Sequence, residues 1–455
     1  MTRRPRAAAA LVAVLILVGS VRTVQENIWS TSSGAPADRA KSDTSLAAQN
    51  VTPTPTPSPS PTPTLPPVKR ITQRPFTLRG NLDGAPYEIR VPKKWNGTLV
   101  IYAHGLRNAL PDGGRHNTPA EAFLSDSAEK ELLARGYALA GSAYRTDGWA
   151  VDEGTTDLRR LATYFEALVS KPRTTLLAGF SMGSVIALSE AERNDLYDGV
   201  LGGCPIGAGT PRTFDAMLDL ALAYDAIWGW PAAWGTPGDL RDDLNFPKEV
   251  LPVLLQRLAE PGGPARFELM RTLAGIPKGP EWPERVWGFA TTTRAQLEQR
   301  AGGPFVQNLD HTYGLTGIDQ LRLRQLGLPQ LEIDLVMSRI ARDRISAGPG
   351  RSYVERFGTF QGDLNRPVLL LGTRADALVP PSHVRAYELQ VSAKGDSKFL
   401  MDAWTNGLGH CNFNPRQLAT AITALENWVK TGQRPGPLPA KFGFFERTPA
   451  PWPQP

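Results

Sequence analysis

At 455 residues the chain exceeds one ordinary domain, and its formal net charge of +6 at first suggests a nucleic acid or an anionic surface as partner. The charge is local: residues 1–75 hold nine basic side chains against three acidic ones, so residues 76–455 are neutral and offer no basic face to a nucleic acid. Two cysteines, Cys204 and Cys411, permit a single disulfide.

Residues 1–21 open with Arg3, Arg4 and Arg6, continue through an apolar run at 7–18 and end in small residues, which is the outline of a secretory signal. The run is shorter than the ~20 residues of a membrane-spanning helix, so a cleaved signal is expected, with an uncleaved signal anchor as the alternative. Residues 22–67 finish in the tract TPTPTPSPSPTPTLPP, an extended spacer with no apolar period to bury. The expected location is secreted or extracytoplasmic, with membrane contact only through this N-terminal segment.

Beyond the spacer, 76–82 and 85–92 alternate around Asp83-Gly84 and predict an antiparallel hairpin. A nearly continuous apolar run at 99–105 predicts a strand buried on both faces. Helix-length segments at 125–135 and 155–170 then alternate with strands at 137–144, 174–180 and 198–204, the signature of a mostly parallel sheet. The alternation stops near Pro211 and resumes only at 367–373, followed by a helix from about Ser382, a strand at 397–404 and a last helix capped by Asn414-Pro415. One α/β domain over 68–210 and 361–447, interrupted by a mainly helical insertion at 211–360 and followed by a tail at 448–455, accounts for this order.

Gly179-Phe180-Ser181-Met182-Gly183 stands where a strand meets a helix, and its glycines allow a turn sharp enough to expose a serine. A serine needs a base to become a nucleophile. Among the five histidines, His410 lies in the glycine-rich loop Gly407-Leu408-Gly409-His410-Cys411 after the last strand, where it can reach back over the sheet. His104 reads as a structural residue at a turn, His116 and His311 as surface or core residues, and His383 begins a predicted helix after Pro380-Pro381. The turn after His104 would supply the backbone N–H of Leu106, with that of Met182, to an oxyanion. Asp376, after the strand at 367–373, has the position of the acid that orients the imidazole; Asp402 is the reserve. Asp363, before that strand, belongs at the opposite edge of the sheet.

In this order Ser181, Asp376 and His410 resemble the α/β-hydrolase superfamily over 76–210 and 365–432. The resemblance implies an eight-stranded, mostly parallel sheet flanked by helices, a cap inserted after the sixth strand, and hydrolysis without a metal or organic cofactor. In the tannase and feruloyl-esterase relatives, a cysteine before the serine pairs with one after the histidine. Here Phe180 occupies the first position, and Cys204 is the available partner for Cys411.

The insertion carries 17 basic and 18 acidic residues over 211–360 and so has no net attraction for a charged ligand. Trp228, Trp230 and Trp234 form either an aromatic wall for substrate or the core of the insertion itself. The expected activity is hydrolysis of a small-molecule carboxylic ester through an acyl-enzyme. The rivals are a prolyl- or tripeptidyl-type peptidase acting on short peptides, an acyltransferase, and a non-catalytic binding protein on a hydrolase scaffold.

Overall fold

The structure, a computed structural model, describes residues 68–110 and 114–450. The expected signal at 1–21, the spacer at 22–67 and the end of the tail at 451–455 lie outside the described residues.

Strands β1 (Phe76–Leu82) and β2 (Ala85–Val91) form the expected hairpin. Asp83 and Gly84 turn it with φ of 49° and 90°, the left-handed pair that a two-residue hairpin requires. β2 pairs antiparallel with β4 (Ala138–Ser142), and the parallel part of the sheet then runs through β3 (Thr98–Ala103), β5 (Thr174–Phe180), β6 (Gly199–Gly203), β7 (Val368–Ala375) and β8 (Leu400–Leu408). Every residue of β3, β5 and β6 is buried, as their unbroken apolar runs demand.

The complete order is β1-β2-β4-β3-β5-β6-β7-β8-β9, so the sheet has nine strands where eight are expected. The ninth, β9 (Phe444–Phe445), pairs antiparallel with Trp404 and Thr405, and two residues are too few for an alternation to show in sequence. The last parallel strand also differs from expectation: 397–399 make a single helical turn, and β8 extends four residues further, to Leu408. That extension carries the strand to the threshold of His410.

Helices α1 (Asp126–Ala134), α2 (Val151–Leu168) and α3 (Met182–Arg193) cross between strands. α1 starts where Ser125 accepts the N–H of Ala128, and Asp126 and Glu129 complement its positive end. Between β6 and β7 the described residues form α4 (Gly209–Trp228), α5 (Leu251–Ala259), α6 (Gly263–Leu273), α7 (Glu284–Gly288), α8 (Arg294–Ala301), α9 (Gly317–Gln325), α10 (Gln330–Ile340) and α11 (Arg351–Gly358), with no strand beyond a bridge between Gly235 and Leu240. α12 (Ser382–Lys394) and α13 (Pro415–Thr431) complete the crossovers. The Asn414 and Gln417 side chains cap each other's backbone at the start of α13, which lays Leu418, Ile422, Leu425 and Trp428 against the sheet. Among the described residues no helix is long and apolar enough to cross a membrane.

Candidate active site

Ser181 sits at the turn from β5 into α3 with φ 56° and ψ −125°, a conformation that costs an L-residue on the order of 1–3 kcal/mol. The surroundings hold it there. Its N–H donates to Gly203 O at 3.1 Å, and its carbonyl accepts from Ser184 N at 2.8 Å. The motif glycines are required by close approach: a Cβ on Gly179 would lie 2.0 Å from Gly183 O, and one on Gly183 would lie 2.1 Å from Ala103 O. The turn thus locks against the end of β3, and Gly105 packs on the serine, since a Cβ there would be 3.2 Å from Ser181 Cβ.

The loop after β8 brings His410 to this serine. Ser181 Oγ lies 2.8 Å from His410 Nε2, and His410 Nδ1 lies 2.7 Å from Asp376 Oδ2. Both side chains are shielded from solvent, the histidine at 6% and the aspartate at 4% exposure. Asp376 is held by its other oxygen: Oδ1 accepts the N–H of Leu378 at 3.0 Å and of Val379 at 2.8 Å. With the Nδ1 proton facing the carboxylate, Nε2 presents its lone pair to the serine hydroxyl. The loop is tied to β7 through Gly409 N to Ala375 O at 2.8 Å and Thr373 Oγ1 to Gly409 O at 2.7 Å.

Asp402, the reserve acid, is elsewhere: it points along β8 and accepts the indole N–H of Trp404 at 2.6 Å. Asp363 precedes β7, at the far end of that strand from Asp376. His104 is buried and stacked on Tyr144, with ring centroids 3.8 Å apart, and burial, assisted by the Arg107 charge, pushes its imidazole down to about 3. His383 is likewise pushed down to about 3 by burial and by Arg212. His116 pairs with Asp147 at 2.9 Å and His311 with Asp219 at 2.8 Å.

Met182, the first residue of α3, follows the serine in the chain, and Leu106 follows Gly105, the glycine that packs on it. Cys204 and Cys411 form a disulfide with Cα atoms 5.3 Å apart, and both take positive φ, 41° and 53°. The bond ties the end of β6 to the residue after His410. Trp228, Trp230 and Trp234 pack around Tyr224, all with centroids within 5.9 Å of it, and Trp228 also meets Phe267.

Sequence reasoning missed Glu281. This insertion residue is 3% exposed, and its carboxylate accepts the N–H of His410 at 2.5 Å and of Ala377 at 3.1 Å. No spacing or motif marks it, because its partners are backbone groups of residues 96 and 129 positions away.

No family model matches the chain. It is 24% identical over 434 residues to an o-phthalyl amidase from Xanthobacter agilis, covering 78% of this chain and 88% of that protein. Among solved structures, an esterase from Aspergillus oryzae aligns with 79% of this chain and 80% of its own at 12% identity and a TM-score of 0.38. Feruloyl esterase B from the same organism covers 78% and 80% at 14% and 0.38, and an esterase from Pyrococcus furiosus 80% and 94% at 12% and 0.35. At that level they add nothing to the strand order, which is itself that of the α/β-hydrolase fold. The chain has this fold, and at its site a serine, a histidine and an aspartate stand in one hydrogen-bonded line.

Proposed function

We propose that this α/β-hydrolase is an exported enzyme that cleaves a small carboxylic ester through an acyl-enzyme. Ser181 Oγ attacks the carbonyl carbon as its proton passes to His410 Nε2, and Asp376 stabilises the imidazolium through Nδ1–H. The N–H groups of Met182 and Leu106 receive the oxyanion; the first of these is at a helix start, where backbone N–H groups have no intrahelical partner. His410 then protonates the leaving alkoxide, and water that it activates releases the acid and restores the serine.

The observation that carries this reading is the unbroken chain from Ser181 Oγ through both ring nitrogens of His410 to Asp376, with steps of 2.8 and 2.7 Å in a buried setting. Export is supported by the basic and apolar start of the chain and by the disulfide, which persists in oxidising compartments.

An amide is the second reading, favoured by the amidase relative. The same residues perform it if His410 protonates a leaving nitrogen. The test is turnover of short-chain aryl esters, phthalyl amides and aminoacyl anilides by the purified protein, with Ser181→Ala in parallel. Ester turnover abolished by the substitution supports the first reading; phthalyl amide turnover alone selects the second, and anilide turnover alone a peptidase. Activity that survives Ser181→Ala overturns the mechanism. Recovery of the protein in the cell interior with an intact N-terminus would overturn export.

A further inference from the structure

Glu281 is a buried carboxylate with an unusual set of partners. Its main-chain carbonyl serves the insertion, accepting the N–H of Arg285 at 2.9 Å and of Val286 at 3.2 Å where α7 begins. Its side chain serves the catalytic domain instead. One oxygen takes the N–H of His410 and the other the N–H of Ala377, the residue after Asp376. Among the described residues no Lys, Arg or His side chain pairs with it, so two backbone donors answer for its burial. A carboxylate stays in such a place only where those donors are fixed, and it fixes them in turn.

The surrounding backbone is shaped for this contact. A Cβ on Gly409 would stand 2.5 Å from Glu281 Oε1 and 2.6 Å from Pro280 Cγ. A Cβ on Gly279 would stand 2.9 Å from Ala377 Cβ and 3.0 Å from Ala375 O. Segment 279–281 therefore lies directly on the two loops that must hold Nδ1 of His410 2.7 Å from Asp376. An anchor serving only to fasten the insertion could grip any part of the sheet edge. Glu281 bridges these two loops at His410 and at the residue after Asp376.

We infer that Glu281 is a positioning residue, which sets the spacing between the Asp376 and His410 loops and makes the alignment of the triad depend on the insertion. The inference rests on the proposed roles of Ser181, Asp376 and His410.

The experiment measures kcat and KM on an aryl ester, and the thermal melt, for Glu281→Ala, Glu281→Gln and Ser181→Ala. Glu298→Gln is the control: this equally buried insertion carboxylate binds Arg294 and the N–H of Leu240, away from the catalytic loops. Glu281→Ala is expected to lower kcat on the order of 100-fold, as a misplaced catalytic group does, with little change in KM. Glu281→Gln keeps one acceptor oxygen, should recover part of kcat, and carries the test should the alanine variant not fold. Glu298→Gln should lose thermal stability with kcat and KM unchanged.

Wild-type kcat in folded Glu281→Gln would overturn the inference, as would an equal kcat loss in Glu298→Gln. Turnover by Ser181→Ala would instead overturn the underlying reading of the site, so the two failures are distinguishable.

Discussion

Asp376→Asn tests the orientation of the site most directly, because the structure states what the amide would face. Asp376 Oδ1 accepts two backbone N–H groups and Oδ2 accepts the imidazole N–H. An asparagine can keep its oxygen on the backbone pair, but its NH2 then donates to His410 Nδ1. The ring proton must move to Nε2, and the base can no longer take the serine proton. Turned the other way, the amide preserves the tautomer but sets its NH2 against the N–H groups of Leu378 and Val379. Each buried donor left unpaired costs about 1–3 kcal/mol, so the unproductive orientation is favoured by about 2–6 kcal/mol.

That preference alone is worth roughly 30-fold to 10⁴-fold in rate, and loss of the negative charge that stabilises the imidazolium adds to it. We expect kcat on an aryl ester to fall by about 10³- to 10⁴-fold with KM little changed, since Asp376 acts through the histidine. Asp402→Asn, which alters a carboxylate bonded to Trp404, should leave kcat near wild type. The assay is steady-state hydrolysis at neutral pH, with circular dichroism to establish that each variant is folded. A folded Asp376→Asn enzyme within about tenfold of wild-type kcat would refute the reasoning, being far from the rate loss the amide geometry requires.

Gly183→Ala should be inactive and destabilised by about 3 kcal/mol or more, because its Cβ would meet Ala103 O at 2.1 Å and His104 O at 2.7 Å; a thermal melt like wild type would contradict this. Removing the disulfide with Cys204→Ser and Cys411→Ser frees a loop of 207 residues in the unfolded chain, for which the chain-entropy model gives about 5 kcal/mol; denaturant titration of the oxidised and double-serine proteins measures it. His104 and His383 are held at about 3, below the ordinary 6.5, so the folded protein binds fewer protons than the unfolded chain between those values. Their contribution is complete above 6.5 and is lost as pH falls toward 3. From pH 7 to pH 5 we expect each to lose about 2 kcal/mol, seen as a falling melting temperature whose slope is reduced in His383→Gln; an unchanged slope would count against it.

The serine turn is legible in the amino-acid sequence because its constraints are local. A strand of buried residues, two glycines spaced around Ser181 and a following helix occupy one short stretch, and the contact of Gly183 with Ala103 only gives the glycine its reason. The crossover strands are legible for a related cause: those buried on both faces must be apolar throughout, so their runs announce themselves. The C-terminal edge is less clear, since β9 is two residues long and β8 reaches into a glycine-rich stretch that reads as loop.

What only the tertiary structure decides are relations between residues far apart in the chain. In sequence Asp376 follows its apolar strand and Asp402 falls inside the last one, which favours the first without showing what either side chain meets. The difference is that one stands 2.7 Å from His410 and the other accepts the indole of Trp404. The cysteine pair is inferable from the resemblance and from there being two cysteines, whereas its geometry depends on β6 ending beside the His410 loop. Glu281 is the extreme case: a side chain that binds backbone N–H groups selects no residue type in its partners, and so its place beside the triad is written only in the fold.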